Sequence, residues 1–290
     1  MAYFQYLSQN PAVFLSLAGI VGLLVGSFLN VVILRLPVIL ENRWRQECLE
    51  FLEQDSEETG ERFDLVFPPS HCPHCGHRIG AWENVPILSW LLLRGRCREC
   101  KAPISIRYPL IEALSAVLSV TVAWHFGLSA QTLWGLILTW NLIALTVIDI
   151  DHQLLPDAIT LPLLWAGLLL SLFGIFTGPR ASILGAAAGY LILWSVYQLF
   201  RLLTGKEGMG YGDFKLLAVF GAWLGWQMLP LIILLSSLVG AVTGFGMVLL
   251  RGRDKNLPIP FGPYLAAAGW IALLWGEDLI AWYLRLSGLG

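Results

Sequence analysis

Residues 113–148 read ALSAVLSVTVAWHFGLSAQTLWGLILTWNLIALTVI, without a single Asp, Glu, Lys or Arg. About 20 apolar residues cross a bilayer as one helix, so this run is long enough for two crossings. We expect the chain to turn between them near His125-Phe126-Gly127. Asp149 ends the run, and a carboxylate at a membrane boundary is costly enough to be a candidate functional residue.

The rest of the chain repeats this pattern. Of the 290 residues 57% are apolar and 13% charged, and the mean hydropathy is +0.68, which is typical of a polytopic membrane protein and not of a soluble domain. The uncharged run 216–250 also fits two spans, with a break near 225–230. We predict an all-α polytopic membrane protein with about eight transmembrane helices. The runs that fit one span each are 11–34, 158–179, 181–200 and 256–276.

The basic residues predict an orientation. With the N-terminus outside, 16 of the 18 Lys and Arg lie on the inner side, which leaves only Arg180 and Arg285 outside. The reverse orientation inverts this ratio, so the positive-inside rule favours N-out, C-out. The net charge of −2 gives no indication of a nucleic-acid partner.

Residues 37–108 form the one hydrophilic segment, which this orientation places in the cytoplasm. Its first part, 41–64, has the composition of an amphipathic linker. Its second part contains two Cys-x-x-Cys motifs. Two such motifs together can hold one Zn²⁺ in a tetrahedron of four sulfur atoms, with zinc–sulfur bonds of about 2.3 Å. Disulfides or redox chemistry are the alternative, but cytoplasmic thiols stay reduced. His71, His74 or His77 could replace one of the ligands, yet four cysteines already complete the coordination shell of the zinc. The pattern therefore predicts a structural zinc ribbon. The four ligands are Cys72, Cys75, Cys97 and Cys100.

Asp149 has a counterpart in Asp213, which opens the sixth predicted span. One span runs inward to Asp149 and the other outward from Asp213, so both carboxylates should lie on the same side at the same depth. Two carboxyl groups within a few Å cannot both ionise cheaply and would share a proton. The ionised one can then activate water while the protonated one polarises a peptide carbonyl. Gly210 and Gly212 would permit a tight turn and close approach of a substrate.

Structural explanations for the acidic residues remain open. Asp213 could cap the helix that it opens, and Asp157 fits an N-cap even better. Asp151 points to a different helix face from Asp149 and is either solvated or supporting. At the helix C-terminus, Asp149 opposes the macrodipole, so a structural role there is less favoured.

Two other functional classes compete with a peptidase. A proton-coupled transporter would place its acids at the bilayer midplane between repeated halves, whereas these acids lie at the boundary and no repeat is visible. A membrane-anchored zinc-ribbon scaffold would depend on its cysteines and not on its aspartates. The chain has no His-Glu-x-x-His, Gly-x-Ser-x-Gly or Walker motif.

These motifs together resemble the bacterial prepilin peptidases, the bifunctional leader peptidase/N-methyltransferases of type IV pilus and type II secretion systems. The combination of a Gly-x-Gly-Asp turn with Asp-x-Asp and Pro-Asp is highly specific. Besides the two Cys-x-x-Cys pairs, the resemblance rests on 26–37 (GSFLNVVILRLP), 82–86 (WENVP), 107–112 (RYPLIE), 149–157 (DIDHQLLPD), 205–215 (GKEGMGYGDFK) and 258–264 (PIPFGPY).

The resemblance implies an aspartic membrane peptidase of the bacterial inner membrane, with Asp149 and Asp213 as its catalytic pair. Such an enzyme cuts prepilins and pseudopilins after the glycine that ends a basic leader, on the cytoplasmic side. It then methylates the new N-terminal residue, usually Phe, with S-adenosylmethionine, and no motif in this sequence marks where that methyl donor binds. The cysteine segment is associated with zinc and with methylation. The implied domains are a first span at 1–36, the cysteine segment at 37–108 and a seven-span peptidase domain at 109–290.

Overall fold

The computed structural model describes residues 2–53, 63–206, 208–251 and 260–288. Three parts of the predicted features lie outside the described residues: 54–62 of the linker, Glu207 of the motif 205–215, and 258–259 of the motif 258–264. The chain divides into two compact units, 1–132 and 133–290. No strand occurs in the described ranges, where isolated β-bridges join only His71 to Arg78 and Arg96 to Pro103.

Each of the eight predicted spans corresponds to a helix. Among the described residues, six helices are long and apolar enough to cross a membrane, whereas α6 and α8 have only 15 and 14 residues. The predicted number of eight is therefore approximate. Both predicted breaks are confirmed, because α4 ends at Phe126 and α8 at Leu224. The helices are α1 (Ala2–Gln9), α2 (Pro11–Phe51), α3 (Leu88–Leu92), α4 (Arg107–Phe126), α5 (Ala130–His152), α6 (Asp157–Ser171), α7 (Pro179–Thr204), α8 (Tyr211–Leu224), α9 (Leu229–Arg251) and α10 (Gly262–Ser287).

In the first unit, α2 packs along α4 at unusually short range. A Cβ atom added to Gly26 would lie 2.7 Å from the Cα of Glu112, and one added to Gly22 would lie 2.8 Å from the Cα of Ala116. Small residues allow helix backbones to approach in this way, which increases dispersion contacts where lipid gives no hydrophobic driving force.

Helix α2 extends well beyond the apolar run that begins it. It continues through Pro37 to Phe51, so its 41 residues measure about 62 Å, twice the hydrocarbon thickness of a bilayer. The predicted hydrophilic segment therefore starts as a continuation of the first span. Trp44 and Cys48, which have helical spacing in the sequence, are both exposed on this extension.

The second unit is built around α8. Nearly every side chain from Asp213 to Trp223 is buried, as expected for a helix that is apolar on all sides and enclosed by its neighbours α6, α7 and α10. Helices α7 and α8 meet backbone to backbone, since a Cβ atom added to Gly221 would overlap the carbonyl oxygen of Gly185. This burial holds the first turn of α8, which contains Asp213, in a fixed position.

Candidate active site and metal centre

Asp149 lies in the last turn of α5, on a side of that helix that is buried. Ile148 is fully buried and only 5% of Asp149 is exposed, whereas Ile150 on the opposite face is exposed. Its carboxylate oxygen Oδ2 is buried and has no hydrogen-bond partner within the described ranges. A buried acceptor without a partner is expensive, which marks this position for a role other than packing.

Asp213 is the third residue of α8 and is equally enclosed, with 7% exposed. The residue at the N-cap is Gly210, whose backbone N–H donates to the Asp213 carboxylate. That hydrogen bond resembles one half of a capping box, so a helix-capping contribution is real. It does not satisfy the whole carboxylate, because Oδ1 of Asp213 is buried without a partner in the described part of the chain.

The two carboxylates are close enough to repel one another electrostatically. Gly262, the first residue of α10, lies against Asp149. Its backbone N–H is directed at the Asp149 carboxylate, and a Cβ atom added to Gly262 would lie 2.6 Å from Oδ2 of Asp149. Leu155 packs against both Gly212 and Gly262. A Cβ atom added to Gly212 would lie 2.7 Å from the Leu155 side chain, and one added to Gly262 would lie 3.2 Å from it. The ends of α5, α8 and α10 therefore bring two carboxylates together against glycine backbone.

The remaining acidic residues occupy different positions. Asp151 is exposed in the last turn of α5. Asp157 is the first residue of α6, which has Pro156 at its N-cap. The Asp157 carboxylate binds the ammonium of Lys215 through both oxygens at 2.7 Å. This ion pair joins the first turn of α6 to the second turn of α8, and the sequence analysis did not predict it.

The four cysteines of the hydrophilic segment converge on one point. All four Sγ atoms lie within 4.8 Å of one another, with 3.7 Å between Cys72 and Cys100 and 4.0 Å between Cys75 and Cys97. A tetrahedron with metal–sulfur bonds of about 2.3 Å has edges of about 3.8 Å. All four thiols are free, and no histidine joins the cluster in the described part of the segment. The donor set therefore fits a four-thiolate metal site.

Each Cys-x-x-Cys pair sits in a tight turn of the same kind. The fourth residue after the first cysteine, Gly76 or Lys101, has a positive φ (71° and 58°), and its N–H donates to the carbonyl of Cys72 or Cys97. The backbone N–H of His74 donates to the Cys72 sulfur and lowers the pKa of that thiol to about 6. Although the His77 N–H donates a hydrogen bond to Cys75, burial and the neighbouring thiols outweigh it and raise the pKa of Cys75 to about 11. The first turn therefore favours the thiolate, the form that binds metals, at Cys72.

Glu83 links the two turns, a role that the sequence analysis missed. One carboxylate oxygen accepts hydrogen bonds from the Gly80 N–H at 2.9 Å and from His77 at 3.1 Å, and the other lies 3.7 Å from Arg98. The Gly80 hydrogen bond, then His77, lowers the pKa of Glu83. His77 belongs to one Cys-x-x-Cys turn and Arg98 to the other, so this carboxylate joins both to the motif 82–86.

Comparisons with known proteins agree with this architecture. Residues 20–126 match the bacterial peptidase A24 N-terminal domain, and residues 136–245 match the type IV leader peptidase family. The chain is 57% identical over 285 residues to a prepilin leader peptidase/N-methyltransferase from Stutzerimonas stutzeri, and the match covers 98% of this chain and 99% of the relative.

Two further relatives carry the same description. One from Aeromonas hydrophila is 59% identical over 94% of this chain and 95% of its own, and one from Pseudomonas aeruginosa is 55% identical over 99% of both. No solved structure matches the chain. The matches span both units and confirm the resemblance drawn from the motifs: this chain belongs to the type IV leader peptidase family.

Proposed function

We propose that this protein is a membrane aspartic endopeptidase that removes the leader of type IV prepilins and type II secretion pseudopilins after a glycine, and then methylates the new N-terminal residue, usually Phe. The relatives that it matches over nearly their whole length are described as prepilin leader peptidase/N-methyltransferases. The observation that carries the peptidase assignment is the buried, mutually repelling pair Asp149 and Asp213.

The pair acts as acid and base on one water molecule. The ionised carboxylate takes a proton from water while the protonated one donates to the scissile carbonyl oxygen, so that oxygen–carbon bond formation and proton transfer occur together. The tetrahedral species then collapses, the carbon–nitrogen bond breaks, and the leaving amine takes a proton from the pair. No covalent intermediate is required. The N–H groups of Gly210 and Gly262 orient the two carboxylates.

The enzyme resides in the bacterial inner membrane with its N-terminus in the periplasm. The basic residues support this orientation, which puts the carboxylate pair at the cytoplasmic face. A prepilin would enter laterally from the lipid with its single apolar helix and keep its basic leader in the cytoplasm. We assign the first span to 1–36, the zinc-binding segment to 37–108 and the peptidase domain to 109–290.

Two further components complete the assignment. Zinc, held by Cys72, Cys75, Cys97 and Cys100, has a structural role because four thiolates leave no open coordination position. S-adenosylmethionine is the methyl donor, since the relatives are described as N-methyltransferases.

The test is to incubate the purified protein with a prepilin and S-adenosylmethionine and to follow the products by mass spectrometry, which separates leader loss from methyl gain. We expect D149N and D213N to abolish cleavage while remaining folded. D278N, at an exposed position on α10, is the matched control and should cleave normally. Normal processing by either dyad variant would eliminate the aspartic mechanism and favour a scaffold that depends on the cysteines.

A further inference from the structure

Glu112, in the second turn of α4, is a buried carboxylate that the peptidase mechanism does not use. Only 7% of it is exposed, and α4 is one of the helices long and apolar enough to cross a membrane. Its Oε2 accepts a hydrogen bond of 2.7 Å from the backbone N–H of Ile87, and the hydroxyl of Ser27 lies near the same carboxylate. An ionisable group in such a helix is a functional candidate by default.

No cation compensates this charge within the described residues. The groups that act on the Glu112 carboxylate are neutral: the Ile87 N–H and the Ser27 hydroxyl of α2. The Ile87 hydrogen bond leaves most of the lone-pair sites of the Glu112 carboxylate unused. A positively charged ligand would satisfy both the charge and the remaining sites.

The surroundings of Glu112 are rich in acceptors. The Ser27 hydroxyl lies 3.5 Å from Oδ1 of Asn84, so polar groups continue outward from the buried carboxylate. One turn further along α4, the Ser115 hydroxyl is fully buried without a hydrogen-bond partner among the described residues. These oxygens suit a ligand that carries several N–H donors.

The backbone beside the carboxylate is strained. Ile87 has φ 60° and ψ −50°, a conformation that β-branched residues rarely adopt. Backbone strain of this kind persists where the surroundings hold it in place, and it clusters at active sites and ligand clamps. The hydrogen bond to Glu112 is the contact that holds the Ile87 N–H. The motifs 26–37, 82–86 and 107–112 therefore meet at one strained, acceptor-lined position.

We propose that Glu112, Ser27 and Asn84 form a binding site for an alkylammonium group, and that the Glu112 carboxylate takes the proton which this group must lose before it is methylated. The inference rests on the proposed methyltransferase activity. The ammonium transfers one proton to Glu112, and the neutral amine then attacks the sulfonium methyl carbon. The carbon–sulfur bond breaks with its electron pair on sulfur, which leaves a neutral thioether and a methylated ammonium. Glu112 finally returns its proton to water.

Two molecules of the reaction carry an alkylammonium group: the newly exposed N-terminus of the mature pilin and the amino acid moiety of S-adenosylmethionine. Only the N-terminus needs to lose a proton before methyl transfer, so we assign the site to it. Besides slowing methylation, a substitution of Glu112 should raise the KM of the peptide and leave that of the donor unchanged. A change confined to the KM of the donor would overturn it.

The experiment compares E112Q with the wild type and with the matched control E47Q, which changes an exposed glutamate on α2. Glutamine keeps an oxygen for the Ile87 N–H but cannot take a proton. We expect E112Q to cleave prepilin within about twofold of the wild type and to methylate at least about 100-fold more slowly at about pH 7. The deficit should shrink towards about pH 9, because a free N-terminal amine titrates at about 7.7–8.0 and deprotonates without help. E47Q should match the wild type in both activities.

Three results would overturn the proposal: methylation by E112Q at the wild-type rate, a loss of methylation that persists unchanged under the alkaline condition, or an equal loss of cleavage and methylation. A wild-type protein that cleaves but never methylates would instead refute the proposed methyltransferase function, so the two failures are distinguishable.

Discussion

Replacing Gly262 by alanine should disable the peptidase through one methyl group. The added Cβ atom would lie 2.6 Å from Oδ2 and 3.1 Å from Cγ of Asp149, whereas ordinary contacts begin at 3.4 Å. Leu155, at 3.2 Å from the same Cβ, blocks a compensating shift in its direction. The Asp149 carboxylate or the start of α10 must therefore move by about 0.8 Å, which is close to the displacement of about 1 Å that costs catalysts about 100-fold.

This loss would not arise from the helix itself. Gly262 is the first residue of α10, and alanine is a better helix former than glycine by about 1 kcal/mol in helix interiors. The fold should be kept, while kcat/KM for leader cleavage falls about 100-fold, equivalent to about 2.7 kcal/mol in the activation barrier. The comparison is made on purified protein in detergent, with thermal unfolding recorded for each variant.

Gly246→Ala is the matched control, because a Cβ atom on Gly246 meets nothing within 4 Å. It should leave cleavage within about twofold of the wild type, as surface substitutions usually have small effects. Cleavage by G262A within about threefold of the wild type would show that the contact between α10 and Asp149 does not position the carboxylate. Equal losses in G262A and G246A would show that any added methyl group disturbs this protein.

Two further predictions concern the metal centre and the core of the second unit. Metal analysis of the wild type should find about one zinc per chain. The variant C72S should bind less zinc and should lose methylation activity more than cleavage activity. Wild-type protein without zinc would contradict the metal assignment. Gly221→Ala places a methyl group onto the carbonyl oxygen of Gly185, so α7 and α8 must separate. Overpacking of this kind costs about 1–3 kcal/mol or more, and a thermal unfolding midpoint equal to that of G246A would disprove the close contact.

The sequence predicted the helices and their breaks because both follow from local properties. Each long run without charges forms one or two helices, although α6 and α8 are shorter than a bilayer span. The glycines at 127 and 225 end α4 and α8 with positive φ values of 61° and 84°. The cysteine cluster was equally predictable, since two residues between thiolates leave few geometries for a metal-binding turn. Its observed spacing fits the tetrahedron that the sequence implied.

The contacts that define the sites were not predictable in the same way. Gly262 is distant from Asp149 along the chain, and nothing local in the sequence couples them. The pairing of Lys215 with Asp157 likewise depends on how α6 packs against α8. The extension of α2 through Pro37 to Phe51 was not predicted, because the apolar run ends at residue 34 while the helix continues into the hydrophilic segment. Each of these features depends on how helices pack against one another or continue into the next segment, and not on the local sequence alone.

The short helices of the second unit offer a physical reason for the position of the carboxylate pair. With 14 and 15 residues, α8 and α6 measure about 21 and 23 Å, less than the roughly 30 Å of bilayer hydrocarbon. Asp157 lies in the first turn of α6 and Asp213 in the first turn of α8, so each short helix carries a carboxylate at its N-terminal end.

A polar recess at this end would let water reach the pair within the depth of the membrane. A substrate whose apolar helix stays in lipid could then present the peptide bond before that helix without leaving the bilayer. Asp149 lies at the end of the full-length helix α5 and Asp213 at the start of the short helix α8, so the length of α8 limits how far Asp213 can lie from the bilayer centre. A pair at the midplane would require water to cross apolar side chains. The shortness of α8 thus suits this unit to the proposed cleavage at the boundary of a membrane-embedded substrate.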